Sequence, residues 1–102
     1  MSRGEVWWVE APAGGRRPYV ILTREAAIPL LHSVLAAPAS RTVRGIPTEV
    51  ALERADGMPE ACALSLDNLT LIPKDRFASR ICRLGPAPLA AACAALGAAV
   101  DC

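Results

Sequence analysis

The sequence predicts a mainly β fold with one C-terminal helix, in which five or six short strands make a small barrel-like antiparallel sheet. Three observations carry this expectation. Short runs of β-branched and apolar residues recur between turns marked by proline and glycine. Helical spacing is clearest in the last segment, residues 86–100, where Leu89, Cys93, Leu96 and Val100 are spaced by four, three and four. The chain has 102 residues, which suits one domain spanning residues 1–102 with one modest core. Hydrophobic residues make up 53% of the chain but aromatics only 4%, so Ala, Leu and Val must supply most of that core. Such a core is thin, and dimerisation would help it.

Taken in order, RGEVWWVE at residues 3–10 is a short run of valines and tryptophans that suits a strand. APAGG breaks it, and RPYVILTR at residues 17–24 reads as a second strand, so residues 3–24 are expected to form a hairpin. EAAIPLL can hold a helical turn whose length Pro29 limits. HSVLAAP reads as a third strand, the polar and basic ASRTVRG as an exposed loop or strand margin, and IPTEVAL as a fourth strand by its alternation. A turn at ERADGMPE precedes strands at CALSL and LTLIP, joined by Asp67 and Asn68, whose side chains are expected to cap backbone groups. Residues 74–77 suit one helical turn, and the terminal helix opens with proline and meets Gly97 late.

Composition bounds the function classes. The chain has no apolar run of about 18 residues, and MSRGEVWW lacks the order of a signal peptide, so a cytoplasmic location is expected, with no membrane partner. Cys62, Cys82, Cys93 and Cys102 are too widely spaced for paired-cysteine zinc motifs and read as mostly buried thiols, with Cys102 open to oxidation. Net charge is only +1, so bulk electrostatics do not announce a nucleic-acid partner. The basic residues are almost all arginine, which suits bidentate phosphate contacts, although a solvated surface accounts for scattered arginines equally well.

RGEVWWVE, RRPYVILTR, VLAAPASRTVRGIPTEVAL, SLDNLTLIPK and RICRLGPAPL together resemble the signature blocks of the MazF/PemK family of toxin ribonucleases, in the family's order and spacing. The resemblance runs from about residue 3 to the terminal helix. It implies an SH3-like small β-barrel of the CcdB/PemK-like type with a C-terminal helix, a homodimer, and cleavage of single-stranded RNA at short motifs. It also implies a cognate MazE-like antitoxin, an acidic and partly disordered segment that binds across the same groove.

Family members carry an arginine at the start of the second strand, immediately before proline, and here that position is Arg17. They carry a serine or threonine after the third strand, and counting back from RGIP places Ser40 there rather than Thr42. RNA supplies its own nucleophile, the 2′-hydroxyl, so cleavage requires alignment, proton transfers and stabilisation of charge on the phosphorane. Metal-independent chemistry is therefore expected, with no cofactor, leaving a 2′,3′-cyclic phosphate and a 5′-hydroxyl and so inhibiting translation and growth. Arg17 would clamp the phosphate oxygens as charge develops, and Ser40 would hold the phosphate in line. Arg16, Arg41 and Arg44 flank them and would track the RNA backbone. His32, the only histidine, matches no family catalytic position, which leaves the general base unassigned. Trp7 and Trp8 are adjacent, so on a strand they face opposite sides, one in the core and one partly exposed. The competing readings are a non-catalytic small-barrel binding module and a related toxin acting on DNA gyrase.

Overall fold

A computed structural model describes residues 1–101. Seven strands precede one helix: β1 (Glu5–Glu10), β2 (Arg16–Ile21), β3 (Ser33–Ser40), β4 (Glu49–Leu52), β5 (Cys62–Ser65), β6 (Thr70–Pro73), β7 (Phe77–Arg83) and α1 (Pro86–Ala99). The expected hairpin is present, with Val6 opposite Val20 and Glu10 opposite Arg16. Its turn closes through the Ala11 N–H on the Gly15 carbonyl at 3.0 Å. Gly14 and Gly15 occupy φ of 91° and 77° there, which glycine adopts without a Cβ clash.

Strand order is β4-β5-β3-β2-β1-β7, with β6 also paired to β3. β3 is thus the organising strand. One edge meets β2, while the other meets β6 along its first half and β5 at Ala39 and Ser40. The fold class is as expected, a curled, barrel-like antiparallel sheet with a C-terminal helix, and the sheet is not closed. Its edge strands β4 and β7 lack a common ladder, and the gap is sealed by side chains. The Arg54–Asp56 turn brings Gly57 and Met58 onto β7, where Cys82 Sγ lies 3.9 Å from Met58 Sδ.

The seventh strand, β7, departs from the expected helical turn that included residue 77. Its register on β1 shifts twice, between Val6 and Trp7 and again between Trp8 and Val9. Each shift inserts a residue and breaks the alternation by which a strand is read.

The larger core packs Val6, Val20, Ala37, Leu52, Leu64 and Leu66 against α1. The helix presents Leu89, Ala92, Ala95, Leu96 and Ala99 to this core. Leu89 and Leu96 thus belong to the packed face, but Cys93 and Val100 are exposed, so the expected stripe is rotated. In a helix so rich in alanine, small residues can face the core and allow close approach, and the larger side chains do not define the packed face. The smaller core, on the opposite face of β1–β3, joins Val9, Ile21, Ile28, Val34, Ile72 and Phe77.

The cysteines divide by location. Cys62 is buried and Cys82 half-buried, but Cys93 is exposed and accepts from Arg3 Nη2 at 3.0 Å. Burial pushes the Cys62 and Cys82 thiols up from their ordinary range, with Glu60 and Asp56 adding to the shift at Cys62 and Asp56 at Cys82. Cys102 lies outside the described residues. No helix is long and apolar enough to cross a membrane among the described residues.

Candidate functional site

The site forms where the β2–β3 ladder stops. Tyr19 opposite Pro38 is the last pair before the strands part. Pro18 and Pro38 have no N–H to donate, so the ladder is weakened on both strands at this point. β3 then pairs with β5 at Ala39 and Ser40, and the gap beside β2 opens into clefts. Continuing the same register by two residues sets Arg17 opposite Ser40, and both share a face with Tyr19 and Pro38. Proline after Arg17 also biases that residue to extended backbone, as its place in β2 shows.

Arg17 borders three adjoining clefts. The smallest, about 230 Å³, is lined by Arg17, Ser40, Thr42, Arg44, Glu49 and Asn68 among others. A second, about 580 Å³, includes Trp8, Arg16, Arg17, Ser40, Arg41 and Glu60. The third, about 600 Å³, lies between the β1–β2 loop and β6 and includes Arg16, Arg17, Tyr19, Leu71 and Arg76. All five residues expected from the sequence therefore line one connected surface.

Their states differ. Arg17 is exposed, and among the described residues its guanidinium makes no hydrogen bond or ion pair, so all its donors can meet an incoming anion. Ser40 is half-buried, and its Oγ accepts from the Thr42 N–H at 3.1 Å, which fixes the oxygen while leaving its own proton to donate. Arg16 lies 4.8 Å over the Trp8 ring. Arg41 pairs with Glu60 at 3.4 Å, both largely exposed, and such a contact is readily exchanged for another anion.

The tryptophans face opposite sides as expected, Trp7 packed against the smaller core and Trp8 partly exposed. Trp7 packs edge-on to Phe77 at 6.3 Å and donates from Nε1 to Glu5. Trp8 floors the second cleft beneath Arg16.

His32 sits just before the other end of β3 and lines a separate cleft with Ser33, Lys74 and Asp75. The seven steps from Ser33 to Ser40 span about 23 Å at about 3.3 Å per residue, which removes His32 from the chemistry. Among the described residues, no three His, Cys, Asp or Glu side chains converge as a metal-holding set.

Glu49 was hidden in the sequence at a position of the alternating IPTEVAL run that suggested only an outward-facing strand residue. In the fold its Oε1 accepts from the Arg44 N–H at 2.8 Å and the Gly45 N–H at 3.1 Å, fixing the loop that follows Ser40. The Asp67 and Asn68 side chains also depart from expectation. Asp67 accepts from Thr48 Oγ1 at 2.6 Å and Asn68 donates to Ser65 Oγ at 2.9 Å, so both bind side chains rather than capping backbone.

The arrangement is a cationic cleft that holds one free guanidinium beside an oriented hydroxyl. The chain as a whole is similar to known proteins. The family model described as the PemK-like, MazF-like toxin of type II toxin-antitoxin systems matches residues 2–100. The probable endoribonuclease MazF5 of Mycobacterium tuberculosis is 44% identical over 102 residues, covering 99% of this chain and 94% of the relative. The structure of Mycobacterium tuberculosis toxin MazF-mt6 aligns with a TM-score of 0.86 at 33% identity, covering 95% of this chain and 96% of that one. An endoribonuclease from a mycobacterial species, solved in complex with its cognate antitoxin, aligns with a TM-score of 0.90 at 26% identity, covering 98% and 94% of the two chains. By sequence across nearly its whole length, and by fold, this chain belongs to the PemK-like, MazF-like toxin family of type II toxin-antitoxin systems.

Proposed function

We propose that this toxin is a sequence-specific, metal-independent endoribonuclease that cleaves single-stranded RNA and leaves 2′,3′-cyclic phosphate and 5′-hydroxyl ends. The observation that carries the reading is Arg17, an exposed guanidinium without a protein partner among the described residues, which borders three clefts and lines two of them together with Ser40. Relatives named as endoribonucleases support it.

Attack by the 2′-hydroxyl places extra negative charge on the phosphorane oxygens. Arg17 donates to those oxygens, and removal of one such donor typically costs about two to three powers of ten in rate. Ser40 donates its hydroxyl proton to the same phosphate or its neighbour and holds it in line. Arg16, Arg41 and Arg44 bind flanking phosphates, and the Trp8 face beside Arg16 is placed for a base. The chain acts as one toxin domain in the cytoplasm. A homodimer is part of this reading: Leu35 and Leu71, opposite one another on β3 and β6, are 42% and 61% exposed and supply apolar surface for a second copy to cover. A MazE-like antitoxin inhibits by laying an acidic segment over the arginine-lined clefts, as the complex of a structural neighbour with its own antitoxin supports.

The test incubates wild type and Arg17→Ala with mixed-sequence single-stranded RNA in excess chelator and maps both new ends. Cleavage at a short motif with a cyclic phosphate, lost in Arg17→Ala while its thermal midpoint is kept, is the expected result. A 3′-hydroxyl product overturns the chemistry. Absence of cleavage by folded wild type overturns the activity and turns attention to a supercoiling assay with gyrase or to simple RNA binding.

A further inference from the structure

We propose that Glu49 is the general base that takes the 2′-hydroxyl proton. The inference rests on the ribonuclease reading and supplies its missing group.

A general base must share a space with the reacting phosphate, present an oxygen without a partner, and be held still. Three carboxylates border the clefts around Arg17. Glu10 lines only the third cleft, away from Ser40, and Glu60 is paired with Arg41. Glu49 lines the smallest cleft together with Arg17 and Ser40. Its Oε1 is fixed by the Arg44 and Gly45 N–H groups, and among the described residues its Oε2 has no partner. One oxygen thus anchors the carboxylate and the other remains available. The charged residues that line the same cleft are Arg17 from β2 and Arg44 from the loop, and Asp67 of the Leu66–Asn68 turn is held on the nearby Thr48.

The step balances without a co-reactant. Glu49 Oε2 takes the 2′-hydroxyl proton as the 2′-oxygen bonds to phosphorus. The bond from phosphorus to the 5′-oxygen breaks, its electron pair staying on that oxygen, which takes a proton from water. Glu49 later returns its proton to water, so the reaction is a transesterification with no net redox change.

The experiment separates proton transfer from the anchoring of the loop. In Glu49→Gln the side-chain oxygen can still accept from Arg44 and Gly45, but the group cannot act as a base. Single-turnover cleavage by Glu49→Gln is expected to fall by about 10²–10⁴-fold, with RNA affinity and exchange protection of the Arg44 and Gly45 amides kept. Wild type should show an acidic limb, its rate rising with pH as the carboxylate loses its proton, and Glu49→Gln should lack that limb. A Glu49→Gln rate within about threefold of wild type overturns the proposal, as does an acidic limb that persists in Glu49→Gln or disappears in Glu60→Gln instead. Loss of activity in Glu49→Ala alone would assign Glu49 to positioning and also overturn it. In each of these cases wild type still cleaves, so the ribonuclease reading stands; inactive wild type overturns both.

Discussion

Replacing Gly57 with alanine probes how the two edges of the open sheet are sealed. Gly57 ends the Arg54–Asp56 turn at φ 100°, and a Cβ built there would lie 2.6 Å from Cys82 Cβ and 3.2 Å from its Sγ. Two costs add. Left-handed backbone at a residue with a Cβ costs about 1–2 kcal/mol, and overpacking typically costs about 1–3 kcal/mol. The sum, about 2–5 kcal/mol, is a large share of the roughly 5–15 kcal/mol that holds a domain together. At about 4–8 °C per kcal/mol for a domain near this size, the midpoint should fall by about 8–40 °C. The geometry also fixes which second change relieves it. Cys82→Ala keeps the Cβ that makes the closest contact, whereas Cys82→Gly removes it, so only Cys82→Gly should show strong favourable coupling to Gly57→Ala in a double-mutant cycle. Thermal unfolding followed by circular dichroism, with calorimetry on the same samples, reads both effects. A Gly57→Ala midpoint within about 3 °C of wild type would refute the reasoning.

Three further outcomes follow from buried groups. Burial alone would raise the pKa of Glu5, but bonds from the Trp7 indole, the Ser2 N–H and Arg80 outweigh it and hold the carboxyl below its ordinary range. A depressed folded pKa stabilises above the unfolded value and loses that contribution as pH falls through the folded one, so acid should destabilise wild type more steeply than Glu5→Gln; parallel pH–stability curves would contradict this. Thr23 Oγ1 accepts from the Leu35 N–H at 2.7 Å inside the fold, so Thr23→Val should orphan that donor and cost about 1–3 kcal/mol in urea unfolding. Iodoacetamide at mildly alkaline pH should label exposed Cys93 well before buried Cys62 or half-buried Cys82, whose thiols are shifted upward, and peptide mass mapping would reveal any other order.

The parts of the fold legible in the sequence are those whose pattern is local. The β1–β2 hairpin follows from two apolar runs around APAGG, and α1 follows from its prolines in the first turn and the absence of breakers between Pro88 and Gly97. β7 was not legible because the two register shifts on β1 scatter its inward residues, and its sequence FASRICR carries two arginines. The helix face was misread because Ala92 and Ala95, not Cys93 and Val100, touch the core. For the site, Arg17 and Ser40 were legible only through family resemblance, since a strand-opening arginine and a turn serine are common on any surface. What the fold adds is the reason they meet: prolines at 18 and 38 stop the ladder where a cleft is needed. Glu49 was not legible, because its anchors are backbone N–H groups, which no sequence pattern displays.

The open seam between β4 and β7 has a mechanical consequence. In the order β4-β5-β3-β2-β1-β7, the strands that carry Arg17 and Ser40 are the two innermost, farthest from either lip. The molecule behaves as a split ring. Thermal opening should begin where side chains rather than a ladder bridge the gap, with β4 and β7 peeling outward, while β2 and β3 stay zipped from Tyr19 to Ile21. The rim can therefore open without disturbing the spacing of Arg17 and Ser40.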